Sequence, residues 1–194
     1  MVDNNAGAIP DDGELVEKAK KGDEHAFEVL VKRYQKGIYR LAYRMTHDHL
    51  TADELAMETF VRAYKALYRF RKDANFFNWL YTIGMRLCLN YLKKEKRMVD
   101  GDPEVMDTIA HRDKHQDCML DSVIAKETAT RIRAAIERLP DKLRMVLLLR
   151  VDEEMSYEEI AEALRVPTGT VMSRLNRARE RLREDLGEYL RLKE

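Results

Sequence analysis

The chain has 194 residues, room for one ordinary domain or two small ones, and its 35 Lys and Arg balance 35 Asp and Glu, so net charge singles out no partner. With 8 glycines, 4 prolines and 36% charged residues the composition suits helices more than sheets; no apolar run nears the roughly 20 residues of a membrane span, and the polar, acidic start MVDNNAGAIPDDGE argues against a secretory signal. Two cysteines, Cys88 and Cys118, are too few for a disulfide framework and point to a reducing cytoplasm.

Residues 1–12 read as a loose tail. A first long helix is predicted from about Asp23, because Phe27, Leu30, Tyr34, Ile38, Leu41 and Met45 recur at three- and four-residue steps. THDHLTAD breaks that rhythm and offers Thr51 or Asp53 as the cap of a second helix. The buried stripe of that helix should be Ala56, Phe60, Ala63 and Leu67, with Glu54, Glu58, Arg62 and Lys65 opposite. An aromatic-rich unit follows, FRKDANFFNWLYTIGMRLCLNYLKKEKR, read as a loop near Lys72 to Asn75 and a helix from about Phe77 to Lys96. Trp79 and Cys88 are expected in the core.

MVDGDPEVMDTIAHRDKHQDCMLDS is the least periodic part and reads as a linker. Helix resumes near Ser122, with Ala125, Ala129, Ile132 and Ile136 on one face, and again at Pro140 or Asp141, since proline suits a first turn. The run MVLLL should be buried. SYEE, Ser156 to Glu159, matches a capping box and opens a short helix, Tyr157 to Leu164, that Pro167 is expected to stop. An arginine-rich helix then runs to the end. No strand and no internal repeat is evident, so the expected fold is all-α.

Charge is unevenly placed. Gly84 to Arg97 holds five basic residues and one acid, and Arg165 to Arg183 holds six arginines and one glutamate, while Met98 to Val123 between them holds seven acids and two bases. The second cationic segment sits in a helix–turn–helix layout, SYEEIAEALRVPTGTVMSRLNRARERL, whose second helix would enter the major groove of DNA. Ile160, Ala161 and Leu164 would pack on Val171 and Leu175. Thr168, Thr170, Met172, Ser173, Asn176, Arg177 and Arg179 would face outward. Asn and Arg make paired hydrogen bonds to purine edges, Ser and Thr suit phosphates, and Met172 suits a thymine methyl. The arginines neutralise phosphates, which makes such binding salt-sensitive.

With these motifs in order, the chain resembles a sigma-70-family RNA polymerase sigma factor of the extracytoplasmic-function (ECF) group, from about Glu14 to Leu190. TADELAMETFVRAYKAL resembles the family's core-polymerase-binding helix, FRKDANFFNWLYTIGMRLCLNYLKKEKR its promoter-melting and −10-reading segment, and LPDKLRMVLLLRVDEEMSYEEIAEALRVPTGTVMSRLNRARERL its −35-reading domain. The resemblance implies two small helical domains, region 2 at 14–97 and region 4 at 122–194, after a tail at 1–13 and joined by an acidic linker at 98–121. It implies a bacterial initiation factor, not an enzyme and without cofactor or small-molecule substrate. The implied partners are core RNA polymerase (large-subunit coiled coil and flap), promoter DNA and an anti-sigma factor, which could hold the cytoplasmic protein at the inner membrane.

Glu54, Glu58 and Arg62 share a helix face, and their family counterparts dock on the polymerase. Phe76, Phe77, Asn78 and Tyr81 lie where the family places its strand-handling loop and pocket. Melting without a motor relies on capture of unstacked bases, held by aromatic platforms and a cationic groove. Arg86, Asn90, Lys93, Lys94 and Arg97 fall on one side of their helix and would track phosphates or bases. Many family members have asparagine at Arg86 and arginine at Met172, so the promoter sequence does not carry over.

His111, His115 and Cys118 form H-x3-H-x2-C, a spacing able to place three ligands on one zinc or iron, with Asp113 or Asp117 to complete it. Ordinary linker composition accounts for the same residues, and no metal is expected. Two other functions compete with the sigma reading: a dimeric helix–turn–helix repressor or activator that binds duplex operator alone, and a protein-binding helical scaffold. The aromatic unit Phe70 to Tyr91 favours the sigma reading, since a duplex reader has no need to hold a bare strand.

Overall fold

The computed structural model describes residues 10–71, 74–99 and 123–191, and every regular element among them is helical. The first half begins earlier than the sequence suggests. Helix α1 spans Asp12–Lys20, capped by the Asp11 carboxylate, which accepts from the Gly13 amide at 3.1 Å. Nine residues with a glycine in the first turn give little periodicity to read. Yet Leu15, Val16 and Ala19 are buried, and the Asp12 carboxylate accepts hydrogen bonds from both Arg33 and Tyr34.

Those two belong to α2, Glu24–Thr46, which the Asp23 side chain caps as expected. Leu30, Ile38, Leu41 and Met45 are buried, with Phe27 and Tyr34 half-buried beside them. The helix ends on His47 in the left-handed region at φ 58°. Helix α3 spans His49–Ala66, and its cap is Asp48, which accepts from the Thr51 amide at 2.7 Å. Neither Thr51 nor Asp53 caps it: the chain turns so tightly after His47 that both already lie within the first turns. Its predicted stripe, Ala56, Phe60, Ala63 and Leu67, is buried. A 3-10 turn at Leu67–Arg69 leads to α4, Phe76–Val99, which starts where Asn75 accepts from the Asn78 amide. Cys88 is buried, and Trp79 packs half-buried against Phe70 and Phe76.

The second half comprises α5 (Val123–Glu137), α6 (Asp141–Val151), α7 (Tyr157–Leu164) and α8 (Thr168–Arg191). Met145 to Leu149 are all buried, and the capping box on α7 is formed in both directions. Two expectations fail here. On α5, Ala129 and Ile132 face solvent, and burial falls instead on Ala135 and, beyond the helix, Leu139, with Ile136 between. Ala125 lies outside the described side chains. Pro167 does not stop α7: Arg165 at φ 54° does, its amide and that of Val166 closing on Ala161 and Glu162. Pro167 instead precedes α8, where its carbonyl accepts from Thr170.

The two halves pack face to face. Helix α4 lies against α7, and α2 and α4 against α6. A single apolar cluster runs from Leu15 and Leu30 through Met85 and Leu92 to Met145, Ile160 and Leu175. The acidic linker, with His111, His115 and Cys118, lies outside the described residues.

Candidate polymerase and nucleic-acid interfaces

Helix α8 carries one face to solvent. Val171, Leu175 and Ala178 are buried against the rest of the second half, together with Ile160 and Ala161 of α7. The steps between them leave Met172, Ser173, Asn176, Arg177 and Arg179 exposed, and Thr168 and Thr170 half-buried at the helix start. Ser173 turns its hydroxyl back onto the Thr170 carbonyl at 3.0 Å. Asn176, Arg177 and Arg179 make no side-chain hydrogen bond to another described residue, so their donors are available to an outside acceptor.

Helix α4 is divided. Its far end displays Asn90, Lys93, Lys94 and Arg97 to solvent. At its near end the aromatic residues lie deeper than a strand platform would. Phe76 is buried against Phe70, Tyr34 and Trp79. Tyr81 is 2% exposed, so it is a core residue in this arrangement. Its hydroxyl lies against α2 at Gly37, and burial, then the nearby Glu153 carboxylate, pushes the phenol up from its ordinary range. Phe77 is half-buried between Tyr34 and Tyr81. Asn78 and Arg86 are half-buried and already bonded: Asn78 Nδ2 donates to Glu159 Oε1 at 2.7 Å, and Arg86 donates to the Ala163 carbonyl at 3.4 Å. Burial, then the nearby Arg165, holds the Arg86 guanidinium below its ordinary range.

Helix α3 shows a feature that its sequence pattern concealed. Glu54 and Arg62 are exposed, Glu58 half-exposed, and Arg62 donates to Glu58 at 2.7 Å within the helix. Between them Met57 is 69% exposed, and Val61, Tyr64 and Tyr68 are exposed too. Residues 54, 57, 58, 61 and 62 follow the steps of one face, so charge and apolar surface are interleaved there. Behind this face runs an apolar groove of about 1250 Å³ between α2 and α3, lined by Phe27, Val31, Tyr39, Phe60, Met57 and Val61. The signal was present: Met57, Val61, Tyr64 and Tyr68 repeat at steps of four, three and four beside the buried stripe. Together the two stripes exceed the roughly 100° arc that one packing partner covers.

Comparison with known proteins matches both halves. The Sigma-70 region 2 family model covers residues 30–98, and the Sigma-70, region 4 model covers residues 129–182. The RNA polymerase sigma-H factor of Pseudomonas aeruginosa is 37% identical over 185 residues, spanning 93% of this chain and 96% of that protein. The ECF RNA polymerase sigma factor SigW of Bacillus subtilis is 38% identical over 176 residues, 88% of this chain and 94% of its own length. This chain belongs to the sigma-70 family. Its relatives place it in the ECF group of sigma factors, transcription initiation factors that bind core RNA polymerase and direct it to promoters. Among solved structures, CnrH in complex with the cytosolic domain of CnrY shares the fold at a TM-score of 0.66 and 24% identity, over 91% of this chain and 97% of that one. The Bartonella quintana sigma factor RpoE, in complex with the anti-sigma factor NepR, does so at 0.66 and 22% identity, over 83% and 96%. No helix among the described residues of this sigma factor is long and apolar enough to cross a membrane.

Proposed function

We propose that this sigma factor docks on core polymerase through the exposed face of α3, reads duplex −35 DNA with α8 and holds the opened −10 strand along α4. On α3, Met57, Val61 and Tyr64 supply the buried anchor of the contact, and Glu54, Glu58 and Arg62 its polar rim. Solvent-facing apolar side chains ringed by charge are the usual anatomy of a protein contact. On α8, Asn176 and Arg177 read base edges, Met172 meets a thymine methyl, and Thr168, Thr170, Ser173 and Arg179 hold the backbone. On α4, Phe77, Asn78 and Arg86 meet the captured strand and Asn90, Lys93, Lys94 and Arg97 track its phosphates. Phe76 and Tyr81 support that surface from beneath. The protein works in the cytoplasm under an anti-sigma partner, as RpoE is solved with NepR.

The observation that carries this reading is the presence, in one chain, of an outward helix–turn–helix face and a separate apolar stripe on α3. A duplex-binding repressor needs the first and a second copy of itself; a sigma factor needs both, one for DNA and one for the enzyme. Reconstitution with core polymerase tests it. Run-off transcription from a genomic fragment library, with permanganate footprinting of the products' promoters, should show specific initiation and reactive thymines upstream of the start. Tight duplex binding by the chain alone, with no holoenzyme formed, would refute it.

A further inference from the structure

Phe77 and Asn78 can meet a strand only if the start of α4 is held in place, and two ties that reach it come from the short helix α1. Of the three lysines near the end of α1, Lys18 and Lys21 are exposed and Lys20 is drawn inward. Lys20 lies four residues after the buried Val16, so it continues an inward row of the helix. Its ammonium donates to the Phe70 carbonyl at 2.6 Å, 50 residues further along the chain. It also pairs with Glu17 at 3.2 Å and lies 5.8 Å from the centroid of the Phe70 ring. A charged donor makes the bond to Phe70 stronger than a neutral one would.

The Phe70 ring is buried edge-on to Phe76 at 5.7 Å and against Trp79 at 5.0 Å. Phe76 and Trp79 are inward residues of the first turn of α4, and Phe77 and Asn78 stand between them in sequence. Where Phe70 sits therefore sets where Phe77 and Asn78 point. The other end of α1 reaches the same turn through α2. Asp12 accepts from Tyr34, whose ring lies 5.9 Å from that of Phe76 and 6.0 Å from that of Phe77. Arg33 adds a bond to Asp12 and one to the Pro10 carbonyl at 2.7 Å. Between these ends the contact is not flush: a cavity of about 240 Å³, lined by Val16, Glu17, Phe70, Asn75 and Phe76, lies between α1 and the start of α4. The two polar ties, rather than close packing alone, thus fix one against the other.

We propose that α1 is the frame of the strand site, with Lys20 and Asp12 as positioning residues that hold Phe70 and Tyr34 and, through them, Phe77 and Asn78. The frame rests on the assignment of the start of α4 to the −10 strand. A site already held in its binding geometry loses less freedom when the strand arrives. Apparent affinity is the intrinsic one multiplied by the fraction of molecules in that geometry, so loosening either tie lowers it.

The test uses holoenzyme reconstituted from the full chain and core polymerase. Its probe is a fluorescent single strand carrying the −10 sequence of a promoter recovered by run-off transcription. Lys20→Met should lower strand affinity by roughly threefold to tenfold. Lys20→Arg keeps a charged donor and should restore most of it. Tyr34→Phe keeps the ring, removes its bond to Asp12 and should lower the affinity by a smaller factor. In all three, affinity for core polymerase and for a duplex −35 fragment should match the parent. Salt separates positioning from direct contact, because a lysine on a phosphate of a single strand would take about 0.7 of the logarithmic salt slope with it. The slope of Lys20→Met should equal the parent's. Unchanged strand affinity in Lys20→Met, a slope reduced by that amount, or no recovery in Lys20→Arg would overturn the frame. So would parallel losses of core and −35 affinity, the mark of general destabilisation. Unchanged affinity in Tyr34→Phe would overturn the part given to Asp12. If Phe77→Ala and Asn78→Ala bind the strand as the parent does, the assignment of α4 to the strand fails instead.

Discussion

Gly37 offers a direct measure of where Tyr81 sits. A Cβ built on Gly37 in the middle of α2 would overlap the Tyr81 hydroxyl, while the ring carbon behind it would lie at 3.4 Å, an ordinary contact. The hydroxyl is not a loose end: the ring is buried and packs against Phe77 at 4.3 Å between centroids. Gly to Ala in a helix interior gains about 1 kcal/mol from propensity. Overpacking a filled site costs about 1–3 kcal/mol. With the Tyr81 ring buried and packed on Phe77 the steric loss outweighs the gain, and Gly37→Ala should lower stability by about 1–2 kcal/mol. Gly187→Ala in α8, where nothing lies within 4 Å of the new Cβ, is the internal standard and should gain up to about 1 kcal/mol. Tyr81→Phe removes the overlapping atom, so in its background Gly37→Ala should become neutral or stabilising. Urea denaturation of the parent and the four variants, the Tyr81→Phe/Gly37→Ala double among them, with midpoints compared at unchanged m, reads all of this. If Gly37→Ala stabilises the parent as Gly187→Ala does, Tyr81 is not lodged against α2, and its role as an exposed strand platform returns.

Further outcomes follow from the remaining surfaces. Met57→Asp should weaken core-polymerase binding by about 2 kcal/mol or more, a thirtyfold loss in a fluorescence titration. Its thermal midpoint should hardly move, because an exposed site carries little folding energy. Arg177→Ala should cost about 1–3 kcal/mol of preference for the cognate −35 sequence over a scrambled one; an equal loss on both would make Arg177 a phosphate contact. Burial pushes the Cys88 thiol up to about 12, so in a Cys118→Ser chain the remaining thiol should resist alkylation at neutral pH and react once urea unfolds the protein, as mass spectrometry would show. Reaction in the folded state at the rate of a free thiol would contradict its burial.

Much of the fold was written in local patterns. The stripe Leu30, Ile38, Leu41 and Met45, the stripe Ala56, Phe60, Ala63 and Leu67, the capping box at Ser156 and the apolar run at Met145 to Leu149 each repeat within one helix. A period of 3.6 residues, or a cap three residues from its partner, leaves a mark that a sequence shows directly. Where reading failed, the deciding contact was distant or the local signal short. Helix α1 is held by Asp12 reaching Arg33 and Tyr34, more than twenty residues away. Helix α3 begins after Asp48 because His47 takes a left-handed conformation, a choice that glycine or asparagine would have advertised and histidine does not. On α5 the apolar positions Ala129 and Ile132 fit a helical stripe as well as the truly buried Ala135 does, since periodicity gives spacing and not the side on which a neighbour stands.

The candidate sites divide along the same line. Outward positions on α8 could be read because Val171, Leu175 and Ala178 fix the inward side and leave the rest by subtraction. The start of α4 could not. Aromatic side chains serve equally as core and as stacking platform, and nothing local to Phe76 or Tyr81 tells the two apart; what takes Tyr81 into the core is the gap that Gly37 leaves on α2. Glu159 makes the point most sharply. Its place three residues after Ser156 predicts the cap on α7, and that cap forms, with Oε2 accepting from the Ser156 amide at 2.7 Å. The other oxygen, Oε1, takes Asn78 from the opposite half of the molecule. The backbone bond at Ser156 and then Asn78 hold this carboxyl below its ordinary range, so both ties need it ionised. A lowered carboxyl stabilises the folded form above the unfolded value and loses that contribution as pH falls through the folded one. One side chain thus caps α7 and ties it to α4, and only the first of those roles is spaced closely enough along the chain to be seen in it.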